Sequence, residues 1–157
     1  MAMRLHMTPL DVSLGRIVAA APDVDDWWLI GSVAARLSGI DLEPEDVDVL
    51  GSRDTIEAFV HNLGGGVIAG SGSDLFRSTP FVRVAVAGGL AIEMMGDLHL
   101  NTGGWQPLTV KTRVAVPTAT GIVYIPSLAE QADIFESFGR PKDLAKARLI
   151  RLPPLED

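Results

Sequence analysis

Residues 46–50 read Asp-Val-Asp-Val-Leu, an apolar strand carrying carboxylates at alternate positions. Side chains along a strand alternate faces. Asp46 and Asp48 therefore point one way, and Val47 and Val49 the other. Acidic residues are depleted in strands, and two carboxylates on one face repel unless a cation lies between them. A divalent ion is the simplest such cation, and hard oxygen ligands suit magnesium. The alternative is an exposed acidic strand.

The preceding segment adds a second chemical element. Trp27-Trp28-Leu29-Ile30 reads as a short strand, Gly31-Ser32 breaks it, and Val33 to Leu37 reads as one or two helical turns. A glycine at such a turn lets another group approach the backbone closely. The helix start presents unpaired N–H groups, its dipole favours an anion, and Ser32 adds a hydroxyl donor. Taken alone, Gly31-Ser32 is also an ordinary strand-to-helix turn. Beside the two aspartates it suggests a phosphate cradle next to a metal clamp, and hence a metal–nucleoside triphosphate.

The ordered set of apolar strand, Gly-Ser, short helix and Asp-x-Asp strand resembles the minimal nucleotidyltransferases of the DNA polymerase β superfamily. The antitoxin-like and aminoglycoside-adenylyltransferase-like branches are the nearest in pattern. The resemblance runs from about Trp27 to Glu93, with a weaker echo at Arg140-Pro141-Lys142-Asp143-Leu144. It implies a third acid on a later strand, and Glu93 in Leu90–Met95 holds the matching position, with Asp97 in reserve. Two departures stand out. Many minimal members carry Arg and Thr four and two residues before the first Asp, where this chain has Leu42 and Pro44, and the third acid is Glu instead of Asp.

The fold the resemblance implies is α/β, a mixed sheet with flanking helices. Its implied activity is transfer of a nucleoside monophosphate from a nucleoside triphosphate to a hydroxyl acceptor. Two magnesium ions about 4 Å apart would be held by Asp46, Asp48 and Glu93. Glu93 would also take the acceptor's proton. Gly31 and Ser32 would cradle the outgoing phosphates. Arg77, just before a strand, and Lys142, in a late Lys-Asp pair, are further phosphate candidates, with solvated surface charge as their ordinary alternative. Arg83 inside a strand is weighed in the same way.

Composition narrows the partners. The chain has 157 residues, 47% of them hydrophobic, and a net charge of −7. That length suits one domain with a sizeable core. The acidic balance disfavours nucleic acid, which needs clustered Lys and Arg. A small molecule or a protein is the expected acceptor. With no cysteine there is no disulfide frame, thiolate metal site or cysteine nucleophile. No apolar stretch approaches the roughly 20 residues that span a bilayer. No secretory leader is read at the N-terminus, so a cytoplasmic protein is expected. His6, His61 and His99 lack metal-ligand spacing.

Taken in order, residues 1–7 read as a loose lead-in, and Thr8-Pro9-Leu10-Asp11 as a capped helix start. Ser52 caps a second helix with Ile56, Phe59, Val60 and Leu63 inward, ended by Gly64-Gly65-Gly66. Strands are expected at Val67–Ala69, Pro80–Ala87, Leu90–Met95, Val110–Val116 and Gly121–Ile125, with Asn101–Pro107 a loop. Ser127-Leu128-Ala129-Glu130 reads as a capping box opening a helix to Phe138, with Leu128, Ala132, Phe135 and Phe138 buried. A last helix begins at Lys142, and residues 152–157 read as a frayed tail. Two other functional classes stay open. One is a catalytically degenerate nucleotidyltransferase serving as a binding or antitoxin-type module for a toxin-like partner. The other is an unrelated α/β domain.

Overall fold

The protein's structure, a computed structural model, describes residues 7–152. The expected loose ends lie outside the described residues, apart from Met7 and Leu152, both exposed. Helix α1 (Pro9–Ala20) opens with a full capping box: the Thr8 hydroxyl accepts the Asp11 N–H and the Asp11 carboxylate accepts the Thr8 N–H. This satisfies donors that every helix start leaves over. Strand β1 (Trp27–Ile30) runs directly into α2 (Gly31–Leu37), and β2 (Asp46–Gly51) follows. Ser52 caps α3 (Arg53–Leu63), which ends at Gly64 in the left-handed conformation. Then come β3 (Val67–Ala69), β4 (Phe76–Arg77), β5 (Phe81–Val84), β6 (Ala91–Gly96), β7 (His99–Asn101) and β8 (Trp105–Pro107). Strands β9 (Val114–Thr118) and β10 (Gly121–Ile125) lead into α4 (Leu128–Phe138) and α5 (Pro141–Arg151).

The central sheet has the order β1-β2-β6-β5-β3. Only β2 and β6 run parallel, with Asp48 opposite Glu93; the other pairs are antiparallel. Alternation then assigns two faces. Val47, Val49, Ile92, Met94 and Val84 point to the main core with Leu14 and Ile17 of α1 and Ile56 and Phe59 of α3. Trp27 is buried there edge-on to Phe59 and Tyr124, each 5.3 Å away, so its role is packing. The opposite face carries Asp46, Asp48 and Glu93. It is roofed by α2, α4 and α5, which pack through Ala35, Ala132, Phe135, Ala147 and Ile150.

Several local expectations are corrected. Residues 99–107 form β7 and β8, which join β4 in a three-stranded sheet instead of a loop. Such short strands carry no readable period and exist through their partners. The strand expected over Val110–Val116 starts at Val114, so Lys111 and Arg113 precede it. The Lys111 and Thr112 amides donate instead to the Glu130 carboxylate at 2.8 Å. That engagement leaves Ser127 capping α4 alone, without the reciprocal half of the box. In α4, Gln131 and Ile134 are buried while Leu128 is exposed.

Candidate active site

Register and parity build the site. Asp46 and Asp48 stand on one face of β2, and the parallel neighbour β6 sets Glu93 directly beside Asp48. One carboxylate oxygen from each acid lies within 4.8 Å of the others. All three are partly buried. Burial and crowding show in the proton affinity of two of them. Burial, with the neighbouring Asp46 and Glu93 charges, pushes the Asp48 carboxyl up to about 8; Lys146 and Arg140 offset this only in part. Burial and Asp46 also raise Glu93, against the pull of Arg83. Asp97 is not among the three converging acids. It follows the end of β6 at φ 46, and its Oδ1 accepts the Arg53 N–H at 3.1 Å, capping α3.

Gly31 sits where β1 turns into α2. Its φ is +75, and a Cβ there would lie 2.8 Å from Asp48 Oδ2. The group closely approaching this glycine within the protein is thus the Asp48 carboxylate. A larger residue would meet both backbone strain and a steric clash. Helix α2 has no side-chain cap, so its first N–H groups lack that partner. Ser32 lies in its first turn and, like Gly31, lines the cleft above the acids.

That cleft encloses about 400 Å³, the scale of a small-ligand site. Its far wall comes from α5. Lys142 lines it as expected, and so do Arg140 and Lys146. Arg140 is committed to Asp143, which is 2% exposed and takes its Nε at 2.5 Å and Nη2 at 3.2 Å. Among the described residues Lys142 and Lys146 have no carboxylate within ion-pair distance. They stand four apart on one helix, a spacing that puts two side chains on one face. That signal was present in the sequence, and Lys146 was missed by weighing Lys142 alone. The third side is apolar, built by Phe76, Met95, Ile134 and Phe138. These come from three separate elements, β4, β6 and α4, so no single local pattern announces the set.

Arg77 does not line the cleft; its guanidinium lies over the Trp105 ring, 4.4 Å from the centroid. The partner that draws it there is nearly thirty residues away, on a strand that sequence reading took for loop. Arg83 also stays outside the cleft and pairs with Glu93.

The residues fit a divalent cation by their own chemistry. Three hard oxygen donors converge without enough neighbouring positive charge to neutralise them. Two lysines across the cleft suit an anionic ligand.

No family model matches the chain, and no curated protein matches it. A solved structure of a "putative nucleotidyltransferase" from Thermotoga maritima superimposes with a TM-score of 0.61 at 21% identity, covering 78% of this chain and 80% of that one. Among the described residues no helix is long and apolar enough to cross a membrane. The mixed sheet, its flanking helices and this likeness together give the chain a nucleotidyltransferase-like fold.

Proposed function

We propose that the protein transfers a nucleoside monophosphate from a nucleoside triphosphate to a hydroxyl on a small molecule or protein, in a magnesium-dependent reaction. The observation that carries this reading is the convergence of Asp46, Asp48 and Glu93 in a cleft whose opposite wall bears Lys142 and Lys146. Asp46, Asp48 and Glu93 would hold the magnesium. Bound there, the ion supplies charge neutralisation to the reacting phosphate and to the departing pyrophosphate.

The remaining work falls to the chain. Gly31 and Ser32 bind the outgoing phosphates at the α2 start, and Lys142 and Lys146 neutralise them from α5. A Glu93 carboxylate oxygen accepts the proton of the attacking hydroxyl. Fixing donor and acceptor against one another, with fixed charges around them, contributes more to the rate than any single proton transfer. The test is pyrophosphate release with magnesium, the four common ribonucleoside triphosphates and a panel of hydroxyl acceptors. Release that depends on metal and acceptor, and that Asp48→Asn abolishes, supports the proposal. Absence of release across the panel counts against it.

One observation favours a second reading. Leu42 lines the cleft where many minimal nucleotidyltransferases carry an arginine. A module that binds nucleotide and metal, or an antitoxin-type partner, without turnover would tolerate that change. Nucleotide-dependent thermal stabilisation without pyrophosphate release would select this reading over the enzyme.

A further inference from the structure

We infer that Arg83 sets which divalent ion the acid cluster accepts, by holding one Glu93 oxygen and the plane of its carboxylate and so favouring magnesium over calcium. This rests on reading the cluster as a metal site. Arg83 and Glu93 are directly opposed across the antiparallel β5–β6 ladder, so both stand on the carboxylate face. Arg83 Nη1 donates to Glu93 Oε1 at 2.5 Å. The Arg83 side chain is 52% exposed and that of Glu93 24%. In the order β2-β6-β5, Arg83 flanks Glu93 on the side away from Asp46 and Asp48. Among the described residues no other cation lies within ion-pair distance of Asp46, Asp48 or Glu93.

A short charge-assisted bond takes one lone pair of the oxygen that accepts it and fixes the plane of the carboxylate. Calcium takes six to eight oxygens and readily uses both oxygens of one carboxylate, whereas magnesium demands near-octahedral geometry at about 2.1 Å. With Oε1 held by Arg83, Glu93 can serve the smaller ion through its other oxygen, whereas clamping the larger one with both requires turning the carboxylate against the Arg83 bond. The charge of Arg83 repels either ion alike, because both carry the same charge. The ratio of the two affinities therefore isolates the geometric effect from the electrostatic one.

The experiment is calorimetric titration of magnesium and of calcium, each alone, into wild type, Arg83→Met and Arg83→Lys at fixed pH and ionic strength. Removing the charge should tighten both ions in Arg83→Met, and calcium should gain about tenfold more than magnesium. Arg83→Lys keeps a charged donor at the position and should return the ratio toward wild type. Equal gains for both ions in Arg83→Met, or no change in either, would overturn the inference while leaving the metal reading intact. If wild type binds neither ion, the metal reading fails and the inference with it. Arg83 is half exposed, so the variants should fold; Arg83→Gln replaces Arg83→Met if melting shows that it does not.

Discussion

The two faces of strands β2 and β6 are built from adjacent residues and obey opposite rules. On one, Val47, Val49, Ile92 and Met94 are each 0% exposed and pack against α1 and α3. On the other, one residue along, Asp46, Asp48 and Glu93 crowd within 4.8 Å. The packed face gains hydrophobic free energy with every side chain it removes from water. The acid face gives some of it back, because desolvated like charges oppose folding. A strand pair that stabilises through one face and is destabilised through the other points to a ligand as the missing partner of the second.

The sharpest way to break this comparison is Asp48→Asn. Asparagine is nearly isosteric and cannot supply the charge that metal binding calls for. Transfer should fall by about 10³-fold or more, since residues acting as a unit are not additive. Melting of the metal-free variant should be no lower than wild type. A clear loss of stability would mean that the acid face is structural after all.

Next in size is Phe59→Ala on the packed side. Phe59 is 0% exposed and meets Trp27 edge-on. Its removal should cost about 3–5 kcal/mol in denaturant unfolding, with divalent-ion affinity unchanged under conditions where the variant stays folded. The two substitutions should thus exchange their effects: one loses chemistry and keeps stability, the other the reverse.

A third measurement follows stability against pH. The Asp48 carboxyl is held up to about 8 against an ordinary 3.8, and Glu93 is raised as well. Between those values the folded state binds protons that the unfolded state has released. Stability should therefore fall as pH rises from about 5 to 8, with a slope of up to about 1.4 kcal/mol per unit for one such group. Above the raised value the loss is complete and the curve should level. Saturating magnesium should remove most of the slope by taking the proton's place. A metal-free protein whose melting temperature rises over that interval would contradict the charge state assigned to the cluster.

The smallest effect belongs to Asp97. Asp97→Ala should cost about 1 kcal/mol by removing a cap from α3, and pyrophosphate release should stay within twofold of wild type. A large loss of release would return Asp97 to the site.

Much of this was legible because it is local. Hydroxyl caps, the left-handed Gly64 and the alternation of Asp46 to Leu50 are set by neighbours within four residues. The helices and most sheet strands could be placed on those signals. The strands that escaped reading, β4, β7 and β8, are two or three residues long. Their pairing joins Phe76 to Leu100 and Arg77 to His99, and no short window contains such partners. The place of Arg77 over Trp105 depends on the same pairing, and the reach of Lys142 and Lys146 into the cleft likewise depends on where α5 docks.

The sequence by itself determined the chemistry available. Its alternation put Asp46 and Asp48 on one face, and its glycine and serine set the turn that precedes them. Only the tertiary structure decided which third acid joined them. Both Glu93 and Asp97 share strand parity, but β6 ends at Gly96 and Asp97 turns away to cap α3. Only the parallel pairing of β2 with β6 brings Glu93 to Asp48, and only the antiparallel pairing of β5 sets Arg83 against Glu93. Parity along a strand is a property of the covalent backbone. Which strand lies alongside is settled by the burial of the whole core, to which residues distant in sequence contribute together.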